Sequence, residues 1–342
     1  QMHQGNALFH NDHGQGFRNV TANSGLDETI WGMGCLASDL DNDGDSDLLV
    51  TGREVNRLYR NQGEGRFVEV TEASGLHQDV WSTSAAAADI NGDGLLDLYV
   101  ANFVDFHQGS KTFEASSQFE RLKPITFDAS LYHAQANHFY LNRGYLQFQE
   151  VGKAFGIDDP AGRTLDASWQ DVDHDGRLDL LLANEGGSGS AVLYRNTVDR
   201  GFVSIDQSSA WHAATSAHGI ASGDLDGDGR SEWLLASAVG EAPWALSMRD
   251  EEGATSFIRD RARELGLADE TMLHLSIWSP LIQDFDNDGD QDVLLASGLL
   301  EPDVDAPRVA VGQAKRLLLN AGHGCLIDAS SSLGLAAIDR QS

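Results

Sequence analysis

One nine-residue phrase with the chemistry of a cation cage occurs five times in this sequence. The copies are Asp39-Leu-Asp-Asn-Asp-Gly-Asp-Ser-Asp47, Asp89-Ile-Asn-Gly-Asp-Gly-Leu-Leu-Asp97, Asp171-Val-Asp-His-Asp-Gly-Arg-Leu-Asp179, Asp224-Leu-Asp-Gly-Asp-Gly-Arg-Ser-Glu232 and Asp284-Phe-Asp-Asn-Asp-Gly-Asp-Gln-Asp292. Side-chain oxygens fall at positions 1, 3, 5 and 9. These are Asp39, Asp41, Asp43 and Asp47; Asp89, Asn91, Asp93 and Asp97; Asp171, Asp173, Asp175 and Asp179; Asp224, Asp226, Asp228 and Glu232; and Asp284, Asp286, Asp288 and Asp292. Carboxylates so crowded need a counter-charge, and Ca2+ suits them because it takes six to eight oxygens in a flexible shell. Glycine at position 6 permits the positive φ that turns the chain back around an ion. The carbonyl at position 7 (Asp45, Leu95, Arg177, Arg230, Asp290) then points inward as a further ligand. The spacing therefore predicts up to five calcium sites. Solvated hairpin corners would explain one acidic Asp-Gly turn, but five with one ligand spacing outweigh that reading.

The elements around the loops must be strands. An EF-hand closes on a glutamate at position 12 between two helices. Here position 12 is Val50, Val100, Leu182, Leu235 or Leu295. Each loop runs into a short apolar stretch of the kind that forms a buried strand, such as Leu48-Leu-Val50 or Val293-Leu-Leu-Ala296. A second phrase follows some twenty residues on, clearest as Arg57-Leu-Tyr-Arg-Asn-Gln-Gly-Glu-Gly-Arg-Phe through Leu76, with copies at 7–26, 138–157, 192–211, 245–267 and 316–335. Alternating apolar residues around an Asn/Gly turn read as a β-hairpin.

One repeat is therefore strand A, acidic loop, strand B, linker, strand C, tight turn and strand D. Four antiparallel strands repeated at such a period make the blade of a β-propeller. The loops start 50, 82, 53 and 60 residues apart, near the ~40–50 of propeller repeats. The long interval carries an insertion at about 104–137. The expected fold is all-β, one propeller domain over 1–342 with five full blades and an opening half blade at 7–26. A half blade needs completion, by further chain (giving six or seven blades) or by a partner chain, since an uncovered strand edge invites pairing.

The two phrases together resemble the FG-GAP or VCBS repeat, whose acidic loop is shared with integrin α-subunit propellers. The wording Leu-Tyr-Arg-Asn…Gly-Glu-Gly-Arg-Phe…Val-Thr…Gly-Leu and the stretch Tyr99-Val-Ala-Asn-Phe-Val-Asp-Phe106 are more similar to the cartilage-acidic-protein and ASPIC/UnbV group. Residues 1–342 do not include the carboxy-terminal module of many such relatives. The resemblance implies a calcium-binding propeller, usually extracytoplasmic, and no single activity.

The formal charge of −30 would fall to −20 with five Ca2+ bound. What remains argues against nucleic acid or an anionic membrane as partner. No apolar run approaches the ~20 residues of a spanning helix; on a secreted reading Gln1 is expected to follow a processed leader. Cys35 and Cys325 are not expected to pair. Scarce cysteine hints at the cytosol, but extracellular calcium modules work at millimolar ion. A secreted, periplasmic or cell-surface protein is the expectation. Asn19-Val-Thr21 is a glycosylation sequon in a eukaryotic source.

A ligand site is sought where the A strands begin. Eight residues before the first loop aspartate stand Trp31, Trp81, Arg163, Ser216 and Ser276; six before, Met33, Thr83, Leu165, His218 and Trp278; five before, Gly34, Ser84, Asp166, Gly219 and Ser279. Trp31, Trp81, Arg163, Asp166, His218 and Trp278 offer aromatic walls with converging polar groups. The plainer alternative has the tryptophans as packing and Arg163 paired with Asp166. The insertion adds His107, His133 and His138 near Asp105 and Asp128, in no standard metal spacing. The function expected is a binding or adhesion module for a protein or glycan at a propeller face. An enzyme of lyase or cyclase/alkylase type, or a subunit of a larger assembly, is the alternative.

Overall fold

A computed structural model describes residues 6–26, 29–76, 79–105, 129–187, 191–205, 216–238, 240–249, 257–298 and 313–335. The two-stranded opening sheet is β1 (Phe9–Asn11) and β2 (Phe17–Asn19). Blade 1 follows as β3 (Gly32–Ser38), β4 (Asp47–Gly52), β5 (Arg57–Asn61) and β6 (Phe67–Glu69). Blade 2 is β7 (Ser82–Ala88), β8 (Asp97–Asn102), β11 (His138–Asn142) and β12 (Phe148–Glu150), with the small pair β9 (Val104–Asp105) and β10 (His133–Ala134) between. Blade 3 is β13 (Gly162–Gln170), β14 (Asp179–Gly187), β15 (Ala191–Thr197) and β16 (Gly201–Ser204). Blade 4 is β17 (Ala217–Gly223), β18 (Glu232–Ser237), β19 (Trp244–Arg249) and β20 (Phe257–Asp260). Blade 5 is β21 (Ile277–Gln283), β22 (Asp292–Ser297), β23 (Arg316–Asn320) and β24 (Leu326–Asp328). The protein is thus all-β, five four-stranded antiparallel blades of a β-propeller plus the opening hairpin.

Each acidic loop joins strand A to strand B with no helix on either side, and the position-12 residues lie inside the B strands. Those strands are apolar on both faces because both are covered: Leu49, Leu98, Leu180, Leu181, Leu182, Leu234 and Leu295 are fully buried. The C strands dock on them in a common register, with Leu48 opposite Tyr59, Leu98 opposite Tyr140, Leu180 opposite Tyr194, Trp233 opposite Leu246 and Val293 opposite Leu318. This register makes every blade comparable residue by residue.

Two compact units are described separately: the described residues of 1–120, 129–169 and 198–202 form one, and those of 170–197 and 203–342 the other. In the first, Leu40, Leu49, Leu58, Leu98, Val100, Tyr140 and Phe148 form one apolar cluster drawn from blades 1 and 2. In the second, Leu225, Leu234, Leu267, Ile277, Val293, Leu295 and Leu318 join blades 4 and 5. Adjacent A strands come close enough that only glycine fits in places. A Cβ added at Gly34 would stand 2.5 Å from Thr83 O, and one at Gly219 would stand 2.4 Å from Trp278 O.

The A strands of blades 1, 2, 4 and 5 share a feature that apolar periodicity does not show. Their register slips between Gly32 and Gly34, Ser82 and Ser84, Ala217 and Ile220, and Ile277 and Ser279. A bulge inserts an unpaired residue and re-aims side chains. Here it falls on Met33, Thr83, His218 and Trp278, the residues six before the loop. Cys35 and Cys325 are free exposed thiols. No described helix is long and apolar enough to cross a membrane.

Candidate functional site

The acidic loops share one backbone fold. Glycine at position 6 has φ between +84° and +99° in all five copies: Gly44, Gly94, Gly176, Gly229 and Gly289. Position 4 is also left-handed, at Asn42 (60°), Gly92 (74°), His174 (56°), Gly227 (75°) and Asn287 (62°). That explains why position 4 carries only Asn, Gly or His, the residues that tolerate this region best. Two positive-φ residues two apart wrap the loop around its first aspartate. Asp39 Oδ1 accepts Asp43 N–H at 3.1 Å and its Oδ2 accepts Gly44 N–H at 3.0 Å. The position-1 aspartates 89, 171, 224 and 284 repeat the pattern.

Position 9 is the buried anchor. Asp47, Asp97, Asp179, Glu232 and Asp292 are all at most 1 % exposed. One oxygen of each accepts the N–H of position 2: Leu40, Ile90, Val172, Leu225 or Phe285, at 2.8–3.2 Å. In four copies the other oxygen accepts the N–H of an asparagine at or next to the end of strand C, Asn61, Asn142, Asn196 or Asn320. The amide side chains of Asn142 and Asn320 also reach the loop of the preceding blade, donating to Leu40 O and Leu225 O at 2.8 Å. Sequence reading missed these asparagines, although the recurring Leu-Tyr-Arg-Asn phrase displayed them. Their role appears only when strand C is laid on strand B.

Burial pushes the carboxyls of Asp47 and Asp97 above their ordinary range and that of Asp179 to about 6. Glu232 is raised for the same reason, and Asp41 by burial and the adjacent Asp43. Carboxylate oxygens converge within 4.8 Å in four groups: Asp39, Asp41 and Asp43; Asp171, Asp173 and Asp179; Asp224, Asp226 and Glu232; and Asp284, Asp286 and Asp292. The second loop has the amide of Asn91 at position 3. Asp41 Oδ1 and Asp173 Oδ1, both at position 3, are buried with no hydrogen-bond partner. An anionic oxygen in that state is costly unless a cation faces it, so the donor set of these loops fits a hard divalent ion.

The candidate ligand residues separate into local arrangements. In the first unit the Arg53 guanidinium lies over both Trp31 and Trp81, 5.3 and 5.4 Å from their ring centroids. Backbone pairing holds this stack, since Arg53 N–H donates to Trp31 O at 3.0 Å and Arg53 bridges Trp81. Phe103 meets Trp81 edge-on at 5.5 Å. Trp31 is 49 % exposed and Met33 43 %. Arg163 donates to Tyr132 O at 3.2 Å, while Asp166 Oδ1 accepts Ser84 Oγ at 2.6 Å. In the second unit His218 stacks on Trp278 at 4.4 Å and 16°, with Nδ1 3.1 Å from Ile277 O. Burial lowers the pKa of that imidazole. Of the insertion histidines, His133 pairs in register with Asp105, and His138 Nδ1 lies 3.2 Å from Asn102 Nδ2. His107 and Asp128 lie outside the described residues.

Residues 39–100 and 171–235 match the FG-GAP-like repeat. Each match runs from one acidic loop through strands B, C and D to the strand beyond the next loop. The propeller thus carries FG-GAP-like repeats. The match is to the repeat and does not extend to the cartilage-acidic-protein and ASPIC/UnbV group. No curated protein matches the propeller in sequence. Among solved structures, an Agrocybe aegerita lectin described as recognising non-reducing terminal N-acetylglucosamine is 17 % identical, covering 94 % of this chain and 72 % of its own, with a TM-score of 0.49. Aleuria aurantia lectin in complex with α-methyl-L-fucoside is 8 % identical over 86 % and 77 %, at 0.43. The V. cholerae biofilm matrix protein Bap1 is 14 % identical over 87 % and 39 %, at 0.40. These are likenesses of fold alone.

Proposed function

We propose that this propeller is a calcium-stapled, extracytoplasmic binding module that holds a protein or glycan at the face carrying Trp31, Arg53 and Trp81. The observation that carries the binding reading is the Arg53 guanidinium between two indoles, one of them half exposed. An arginine fixed between aromatic faces is already ordered before a partner arrives, so little side-chain entropy is lost on binding. An exposed indole edge beside a cation and the Glu54 carboxylate, 3.6 Å from Arg53 Nε, suits sugar hydroxyls or a polar peptide. His218 and Asp166, on which an enzymatic reading depends, are both engaged in packing or hydrogen-bonded contacts.

Calcium would be held by positions 1, 3, 5 and 9 of the loops, where it supplies the positive charge that the buried carboxylates call for. Asp41 and Asp173 support this assignment through their unpartnered oxygens. The chain's own residues do the rest: the position-9 carboxylate ties the loop to strand C, and in blades 2 and 5 the strand-C asparagine ties it to the loop of the preceding blade. Such pinning would keep the blade ends, and hence the surface loops at the opposite ends of the A strands, in fixed register.

The binding reading is tested by presenting the purified chain, in millimolar calcium, to immobilised glycans and to extracellular protein extracts. Trp31→Ala is expected to weaken whatever binding is found by at least tenfold, about 1.4 kcal/mol. It should leave the melting temperature within about 2 °C, because Trp31 is half exposed. Undiminished binding by Trp31→Ala would move the site elsewhere.

A further inference from the structure

The fourth acidic loop departs from the other four at three places that the strand register makes equivalent. Position 9 is Glu232 where the others have aspartate. The strand-C position held elsewhere by Asn61, Asn142, Asn196 and Asn320 is Met248. The third departure is Arg261. It stands where the other blades have Val70, Val151, Ile205 and Ala329, and the equivalence is fixed by hydrogen bonding. The N–H of each of these five residues donates to strand C, at Leu58, Phe139, Leu193, Ala245 and Leu317 O.

Four blades place a short apolar side chain at this point. The fourth sends a guanidinium back into its own loop. Arg261 Nη1 lies 2.5 Å from Asp226 Oδ2 and 2.7 Å from Glu232 Oε1, the carboxylates of positions 3 and 9. Its Nε lies 3.3 Å from Glu264 Oε2. Arg261 is 8 % exposed and Glu232 1 %, so the pair is walled in. The extra methylene of Glu232 matters here: Oε2 keeps the N–H of Leu225, while Oε1 is turned to Arg261. In loops 1, 2, 3 and 5 that second oxygen is taken by the strand-C asparagine N–H instead.

We propose that the fourth loop takes no calcium and is closed by Arg261, whose guanidinium is its resident cation. This rests on the calcium reading of the other loops. A guanidinium stays protonated at any pH the fold meets and offers fixed donors suited to two carboxylates at once. A divalent ion between positions 3 and 9 would have to sit a few ångströms from that charge and displace it from a buried position, against Coulomb repulsion in a poorly solvated site. Loop 3 shows the contrast. Arg195 pairs with Asp173 there and Arg177 with Asp175, but Arg195 is 37 % exposed on its side chain and touches position 3 alone. Asp179 keeps both of its backbone donors. The Arg195 side chain is 37 % exposed and that of Arg261 10 %, so an entering ion would displace the first arginine far more readily than the second.

Two measurements on the full chain test this. Native mass spectra from calcium-containing ammonium acetate should show Arg261→Val carrying one ion more than wild type. Amide exchange of the wild type, with and without EGTA, needs no variant. Chelation should speed exchange at Gly44, Gly94, Gly176 and Gly289 by at least about tenfold and leave Gly229 protected within about twofold. Gly229 losing protection like the rest, or Arg261→Val binding no extra ion, would overturn the proposal. A chain in which no loop responds to EGTA and no ion is retained overturns the calcium reading itself, and the proposal with it.

Discussion

Excess EGTA is expected to lower the melting temperature of this propeller by about 10–20 °C. An ion that binds only the folded chain stabilises it by RT ln(1 + [L]/Kd), about 1.4–2.7 kcal/mol per loop when calcium stands at ten to a hundred times Kd. With Kd near 10⁻⁴–10⁻³ M, that condition holds at about 10 mM calcium. Several loops acting together reach several kcal/mol, and each kcal/mol moves the midpoint of a large domain by about 2–4 °C. The effect carries a pH signature. Burial holds the position-9 carboxyls of Asp47 and Asp97 above their ordinary pKa and that of Asp179 at about 6. In the ion-free chain a raised carboxyl contributes stability below its unfolded pKa, near 3.9, and loses it as pH rises through its folded pKa, about 6 for Asp179. Calcium needs the deprotonated form. The gap between the melting curves with and without calcium should therefore be small near pH 4.5 and wide at pH 7.5. Differential scanning calorimetry at both values reads it directly, and a gap that narrows with rising pH would contradict the account.

The second large effect is expected of Asp97→Ala. Asp97 is fully buried; its Oδ2 accepts Ile90 N–H at 3.2 Å and its Oδ1 accepts Asn142 N–H at 2.9 Å. Removing the carboxylate leaves two amides without their partner, at about 1–3 kcal/mol each. It also cuts the tie between the second loop and strand C of its blade. A loss of about 3–5 kcal/mol is expected, and because both hydrogen bonds are made by backbone amides and involve no ion it should persist in EGTA. Asp97→Asn keeps an acceptor oxygen but not the charge. Its NH2 then faces the second amide, so that variant should lose about 1–3 kcal/mol in EGTA and fall further below wild type in calcium. Urea unfolding of the three proteins in both buffers separates the two roles of the residue. Equal calcium responses from wild type and Asp97→Asn would remove position 9 from any ion site.

The blade architecture could be read from the sequence because its causes are local and repeated. Acidic residues at fixed offsets, glycine at position 6 and an apolar run beginning at position 10 specify the A–B corner, and all five corners fold alike. Even the left-handed position 4 was written in the choice of Asn42, Gly92, His174, Gly227 and Asn287. The A-strand bulges were not legible, since a slipped register leaves no mark on composition. Nor was Arg53: it lies 22 residues after Trp31 and 28 before Trp81, and only strand pairing sets it between them. Arg261 reads in isolation as an ordinary charged residue within a weak repeat. Its place is set by contacts 35 and 29 residues back along the chain. Trp31 and Trp81 share one neighbour, Arg53, which the sequence grouping did not include.

The central claim is that the acidic corners of this propeller enclose divalent ions. It is tested most directly by a crystal grown in millimolar calcium, with data collected at a wavelength where calcium scatters anomalously. The account predicts anomalous peaks inside the loops at 39–47, 89–97, 171–179 and 284–292, each facing the position-9 carboxylate. Loops of the same backbone conformation with no peak within coordination distance of those carboxylates would contradict it.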